Sequence, residues 1–333
     1  MSRGGTLVAA AAAQHRGLER FGNQAILLIL IVVMGAAFAL IEPRIVSRSN
    51  VLNVLQQASY LIVFTIAQTL VILTRGFDLS LGTTVSAVSV ASALVLTGFG
   101  DDPAGWVIAL GIAAGLGVGL AVGLFNGLLV AVIGVNPFIA TLASLNICLG
   151  VATTISGGKP VFGVPDGFST LLYDGTVVGV RVTLLIAAAV LLAAWFVLTR
   201  TVFGRAVYLI GSNPRAAMVA GLPTRIYLTS AYVICSLLAA LGALMLTART
   251  GSGEPNLGGS LMLQSIAAAV IGGVSLRGGT GGVGAAILGA LFVTMLSNGM
   301  DLLRVSGYVQ TIALGVVVIL ATALDFLRGQ RRV

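Results

Sequence analysis

The sequence predicts an all-α polytopic membrane protein, a bundle of about ten transmembrane helices carrying an inverted internal repeat. Three observations predict it. The 333 residues are 58% hydrophobic and only 8% charged, against about a quarter charged in an ordinary soluble domain, so a water-soluble shell cannot be clothed. The mean hydropathy is +1.08, and the apolar residues fall into runs near the roughly 20 residues that a helix needs to cross a hydrocarbon core. A segment from the middle of the chain also returns, altered, near its end.

The apolar runs lie at 23–41, 51–73, 79–97, 106–133, 137–156, 182–199, 227–247, 261–275, 283–300 and 308–326. The eighth is short and bounded by glycine, so it is expected to be re-entrant or broken. The fourth is long enough to tilt or bend. Glycine, at 44 residues, sits inside the runs as well as between them. The stretch GIAAGLGVGLAVGLFNG (111–127) is the clearest case, and small residues at this spacing let helix backbones approach closely.

With the N-terminus inside, Arg75, Arg277 and the arginines of 200–225 and of both chain ends gather in the cytoplasm. Arg44, Arg48, Lys159, Arg181, Arg249 and Arg304 remain outside, the smaller group, as the positive-inside rule requires. An even number of spans then makes 1–22 a cytoplasmic tail, 23–327 the transmembrane domain and 328–333 a second cytoplasmic tail. The net charge of +8 forms no basic face or aromatic platform, so no nucleic-acid partner is expected. The partner implied by composition is the lipid bilayer.

Residues 126–143 read NGLLVAVIGVNPFIATLA and 298–313 read NGMDLLRVSGYVQTIA. Both begin Asn-Gly and, allowing a two-residue gap, both end Val-x-x-aromatic-x-x-Thr-x-Ala. The two copies are five spans apart, so they cross the membrane in opposite senses, as in transporters with a pathway along the pseudo-symmetry axis.

Chemistry of the chain's own is not expected. The single lysine, Lys159, lies in SGGKP and lacks the upstream glycine of a phosphate-binding loop. The single histidine, His15, is in the N-terminal tail, and no metal-ligand spacing or nucleophile elbow occurs. Cys148 and Cys235 lie in apolar runs and read as small packing residues. No catalytic residue, metal or cofactor is predicted, and no span pairs ionisable residues as a proton relay does. Energy for transport then comes from another subunit, or the chain is a passive facilitator.

The longest cytoplasmic loop, 200–226, contains Ser212-Asn213-Pro214-Arg215-Ala216-Ala217 and then Gly221 and Pro223. Asn213 or Ser212 caps a short helix, Pro214 occupies its first turn, and Gly221 with Pro223 stops it. Such an Ala-rich helix suits docking into a partner, or it is simply an ordered loop. In the turn TRGFDLSLG, Asp78 and Ser80 stand at the start of a helix, where their oxygens satisfy free N–H groups. Pathway candidates are the polar residues within spans: Gln68, Asn126, Thr141, Asn146, Gln264, Asn298 and Gln310. Uncharged amides suit a neutral polar solute, and each also suits the plainer role of gluing helices together.

Ala216-Ala217-x-x-x-Gly221 resembles the Glu-Ala-Ala-x-x-x-Gly coupling loop of ABC importer permeases, with Arg215 where Glu is usual. VILTRGFDLSLG (71–82), NPFIATLASL (136–145), SGGKPVFG (156–163) and IAAAVIGGVSLRGGTGGVGAAILGALF (266–292) resemble the ribose-type monosaccharide permease family. So does SNGMDLLRVSGYVQTIALGVVVILATALD (297–325), and Phe77 stands where Ile is commoner. The resemblance covers roughly 45–327. It implies the permease subunit of a sugar importer in the bacterial inner membrane, paired with a second permease subunit. It also implies two cytoplasmic ATPase subunits, a sugar-binding protein outside, and 212–222 as the coupling helix. A stand-alone secondary carrier, or a permease of this architecture for branched-chain amino acids or nucleosides, are the alternatives.

Overall fold

The spans fold as helices because an unpaired backbone N–H or C=O in lipid costs several kcal/mol, and a helix satisfies them within one segment. The computed structural model describes residues 24–100 and 105–330, with side chains through 323. The tail expected over 1–22 lies outside the described residues. Among the described residues seven helices are long and apolar enough to cross a membrane: α1 (Gln24–Ile41), α2 (Arg48–Leu73), α4 (Gly105–Leu128, continued by a π turn at Leu129–Ile133), α5 (Pro137–Ser156), α7 (Val182–Arg200), α10 (Thr224–Thr250) and α12 (Val283–Leu302). Between them stand α3 (Leu81–Thr97), the short α6 (Asp166–Ser169), α8 (Val202–Ser212), α9 (Pro214–Val219) and α11 (Leu261–Gly272), and α13 (Gly307–Gln330) closes the chain. Each of the ten expected spans coincides with a helix, so the all-α bundle is borne out.

The bundle differs from a soluble protein at its surface, while the interior is apolar in both. Its periphery is apolar, with Leu40, Ile133, Ile139, Leu192 and Ile312 all more than half exposed, as a lipid-facing surface requires. Its centre is α2, whose buried face includes Thr65, Gln68 and Thr69. The threonine hydroxyls donate to carbonyls one turn back, Thr65 to Leu61 at 2.6 Å and Thr69 to Thr65 at 2.7 Å. Each buried hydroxyl is thereby satisfied within its own helix.

The glycines of 111–127 have a visible reason. Gly111, Gly115, Gly119, Gly123 and Gly127 are all buried on one face of α4. A Cβ at Gly119 or Gly123 would press on the α10 backbone at Ser236 or Val233, whereas Gly117, on the outer face, has open space around it. The period of four sets a groove into which α10 settles.

The packing pattern repeats. α4 lies on α10 and α3, while α12 lies on α2 and α11. α5 lies on α3 and α13 on α11, and α2 contacts α10 directly. Exchanging α2, α3, α4 and α5 for α10, α11, α12 and α13 maps each contact onto another. This is an internal repeat in three dimensions, wider than the two segments that announced it.

Candidate translocation pathway

α3 has 17 residues and α11 has 12, roughly 25 and 18 Å at 1.5 Å per residue. Neither spans a core of about 30 Å unaided. Each is completed by an irregular segment, 74–80 before α3 and 251–260 before α11. The eighth run, expected to be re-entrant or broken, is a helix of 12 residues preceded by a non-helical segment, and the third is likewise short and preceded by one. The two halves meet where Gly82 and Gly258 pack backbone on backbone, leaving no room for a Cβ on either. Along α3, Ser86 accepts from the Gly258 N–H at 3.2 Å and Ser89 from the Glu254 N–H at 3.1 Å. Thr247 donates to Ser89 at 2.7 Å. Irregular backbone inside a membrane is tolerated where protein groups satisfy it in this way.

Asp78 lies in the first of these breaks and is fully buried. Hydropathy reads it as part of a cytoplasmic turn. The structure instead sets it against Cys235, eleven residues into α10, which is roughly 16 Å from that helix's start. Its Oδ1 accepts from the Ser80 N–H at 2.9 Å and from the Ser80 hydroxyl at 2.5 Å, and Cys235 Sγ lies 3.6 Å from Oδ2. Gln68, with its amide turned to donate to the Asp78 carbonyl and accept from its N–H, sits at 3.3 Å from both. Asn126 donates to the Ser80 hydroxyl at 2.9 Å and accepts a short bond from Ser144. Gln68, Asp78, Ser80, Asn126, Ser144 and Cys235 therefore form one polar core tying α2, α3, α4, α5 and α10.

The other candidates separate. Asn298 holds an equivalent place to Asn126 in the repeat but pairs with Asn50 of α2. Thr141 donates to the Pro137 carbonyl one turn back, and Asn146, exposed, to Leu142. Gln264 and Gln310 converge. They line a cavity of about 240 Å³ together with Gln57 and Tyr60 of α2, Arg249 of α10, and Thr294, Ser297 and Asp301 of α12. Leu61, Leu246, Leu261 and Val293 supply its apolar wall. Gln310 donates to Asp301 at 2.6 Å, and the Arg249 guanidinium stands 5.9 Å over the Tyr60 ring. Tyr60 and Asp301 were not singled out from sequence. The available signal was Gln57 and Tyr60 three residues apart on one face of an otherwise apolar helix. Arg249 was read as an outer topology charge.

At the end of the bundle opposite this cavity, Asn213 Oδ1 accepts from the Ala216 N–H at 3.0 Å and Pro214 begins α9. Gly221, at φ +75, follows the helix. Ala217 is buried against the bundle, while Met218 and Val219 point outward, Val219 being 90% exposed. Among the described residues no cluster of His, Cys, Asp or Glu is grouped to hold a metal.

Two short helices meeting inside a bundle of repeated halves are the architecture of a membrane transport protein. The chain matches, over residues 50–322, the family described as branched-chain amino acid transport system / permease component. It is 34% identical over 311 residues to the ribose import permease protein RbsC of Bacillus subtilis, covering 92% of this chain and 93% of that one. It is 35% identical to the protein of that name from Escherichia coli K12, over 90% and 92%. It is 32% identical to the galactose/methyl galactoside import permease protein MglC of the same strain, over 91% and 94%. The chain belongs to this permease family, on the ribose-type branch that its motifs resemble. No solved structure matches it.

Proposed function

We propose that the chain is the membrane-spanning permease subunit of an ATP-driven importer that carries a monosaccharide across the bacterial inner membrane. The observation that carries this reading is similarity over nine-tenths of the chain to permeases named for ribose and galactose. The chain holds and releases the sugar without transforming it. A separate ATPase docks on α9, a sugar-binding protein docks at the opposite end, and a second permease subunit completes the channel. The end bearing α8 and α9 faces the cytoplasm. Gln24 of α1 lies against Gly284 at the start of α12, which supports placing the start of α1 on that side.

Coupling would act at Ser212, Asn213, Pro214, Arg215, Ala216, Ala217 and Gly221. Met218 and Val219 offer the ATPase an exposed apolar ridge. The sugar would pass the amide-lined cavity of Gln57, Gln264 and Gln310, whose neutral donors and acceptors suit hydroxyl groups. Arg249 and Asp301, one of each charge, also fit the two ends of a zwitterion, which keeps an amino-acid cargo as the competing reading.

Affinity purification of the tagged chain should bring down an ATPase and a binding protein, and reconstitution of that complex in liposomes should give ATP-dependent uptake of labelled ribose or galactose but not leucine. Uptake by the chain alone without ATP would overturn the reading in favour of a secondary carrier. Unchanged activity after removing 212–222 would overturn the coupling assignment.

A further inference from the structure

The C-terminal end of α2 closes in a Schellman motif, with the Gly76 N–H donating to the Val71 carbonyl at 3.0 Å and the Arg75 N–H to Ile72 at 2.9 Å. The residue placed in the left-handed region, at φ +66, is Arg75. Glycine adopts that conformation freely and is the usual occupant of the position. The arginine side chain is where its presence makes sense. Its Nε donates to the Gly211 carbonyl at 2.5 Å and its Nη2 to the Ser212 carbonyl at 2.6 Å. These carbonyls end α8, where helix carbonyls lack partners and the dipole favours a cation.

The contact is also closely packed. The Gly279 N–H donates to the Leu73 carbonyl at 2.9 Å, and a Cβ at Gly211 would collide with that same carbonyl. Two residues beyond Ser212, at Pro214, the chain enters α9. Three residues beyond Arg75 lies Asp78, at the break that starts α3.

We propose that Arg75 is a positioning residue that fastens α9 to the Asp78 break, so that displacing α9 displaces the inner end of α3. Applied to transport, this rests on the ATP-driven reading above. The mechanical link itself does not.

The test uses Arg75→Gly, which deletes the guanidinium while supplying the residue that the backbone favours, and Arg75→Lys, which keeps charge but loses the planar fork. Hydrogen exchange on the purified chain should rise at 213–219 and at 76–82 together in Arg75→Gly, and less in Arg75→Lys. A rise at only one segment, or at neither, overturns the proposal. In the reconstituted complex, sugar moved per ATP hydrolysed should fall by roughly fivefold or more in Arg75→Gly, with partial recovery in Arg75→Lys. A ratio equal to wild type in Arg75→Gly overturns it, and if that variant does not assemble, a wild-type ratio in Arg75→Lys does so. If the wild-type complex needs no ATP, the ATP-driven reading is what fails, and the exchange experiment still decides the link.

Discussion

Asn50 and Asn298 clasp each other through both ends of their amides. Asn50 Nδ2 donates to Asn298 Oδ1 at 2.9 Å, and Asn298 Nδ2 returns a bond to Asn50 Oδ1 at 3.0 Å. The second hydrogen of Asn50 goes to the Ile45 carbonyl at 2.9 Å, so its donors are fully used. The pair joins the first turn of α2 to the last turns of α12.

Truncating one asparagine leaves the other short of its partner, which makes single changes worse than their bond is worth. Asn298→Leu should destabilise the chain by about 1 kcal/mol, the order found for polar pairs between membrane helices. Asn50→Leu should cost a similar amount, and the double variant less than the two together. Thermal unfolding in detergent of the four proteins measures this. Strict additivity would mean the clasp contributes nothing.

The glycine face of α4 makes a sharper steric prediction. Gly123→Val places a branched side chain against the Val233 and Tyr232 backbone, which cannot withdraw without moving α10. A loss of about 1–3 kcal/mol or more is expected, seen as reduced yield of monodisperse protein. Gly117→Ala, three residues before Leu120 on the open face, meets nothing within 4 Å and should be neutral or slightly stabilising, since alanine favours helix by about 1 kcal/mol over glycine.

The spans were legible because bilayer thickness imposes a length on every apolar run, and the repeat because Asn126 and Asn298 kept their Asn-Gly frames. The turn at 74–80 was legible too, but its place inside the bundle was not. The burial of Asp78 and the contacts of Arg75 depend on partners remote in sequence: Cys235 for one, Gly211 and Ser212 for the other. The same limit governed the pathway candidates. Nothing in a one-dimensional pattern distinguishes Gln68, spent on the Asp78 backbone, from Gln264 and Gln310, which face a cavity. Asn126 and Asn298 share a place in the repeat yet serve different bonds, because Ser80 and Ser144 surround one and Asn50 meets the other.

Asp78 should tolerate little. Asp78→Ala strands the Ser80 N–H and hydroxyl, and each unsatisfied buried group costs about 1–3 kcal/mol, so the variant is expected to lose several kcal/mol or fail to fold. Asp78→Asn keeps a carbonyl oxygen for the Ser80 N–H and should retain most of the stability. Comparing melting temperatures and detergent-extractable yield of the two variants checks this. Equal behaviour of alanine and asparagine would mean that the bonds to Ser80 do not hold the break in place.

The cavity prediction separates transport from stability. Gln264 and Gln310 face the cavity, and both are half-buried, so their loss should disturb packing little. Gln310 holds Asp301 at 2.6 Å and also donates to the Val305 carbonyl at 3.1 Å, whereas Gln264 donates to Ser260 at 3.3 Å. Replacing either with leucine removes donors that a sugar would use, and one or two hydrogen bonds of about 1 kcal/mol each correspond to roughly a tenfold change. ATP-driven uptake should therefore fall about tenfold in Gln264→Leu and in Gln310→Leu, with melting temperatures near wild type. Thr199→Val, on α7, removes only a hydroxyl bonded to Trp195 of its own helix and should leave uptake unchanged. Should both glutamine variants transport like wild type, the sugar passes elsewhere, and the polar cavity between α2, α10, α11, α12 and α13 is a packing defect filled by water.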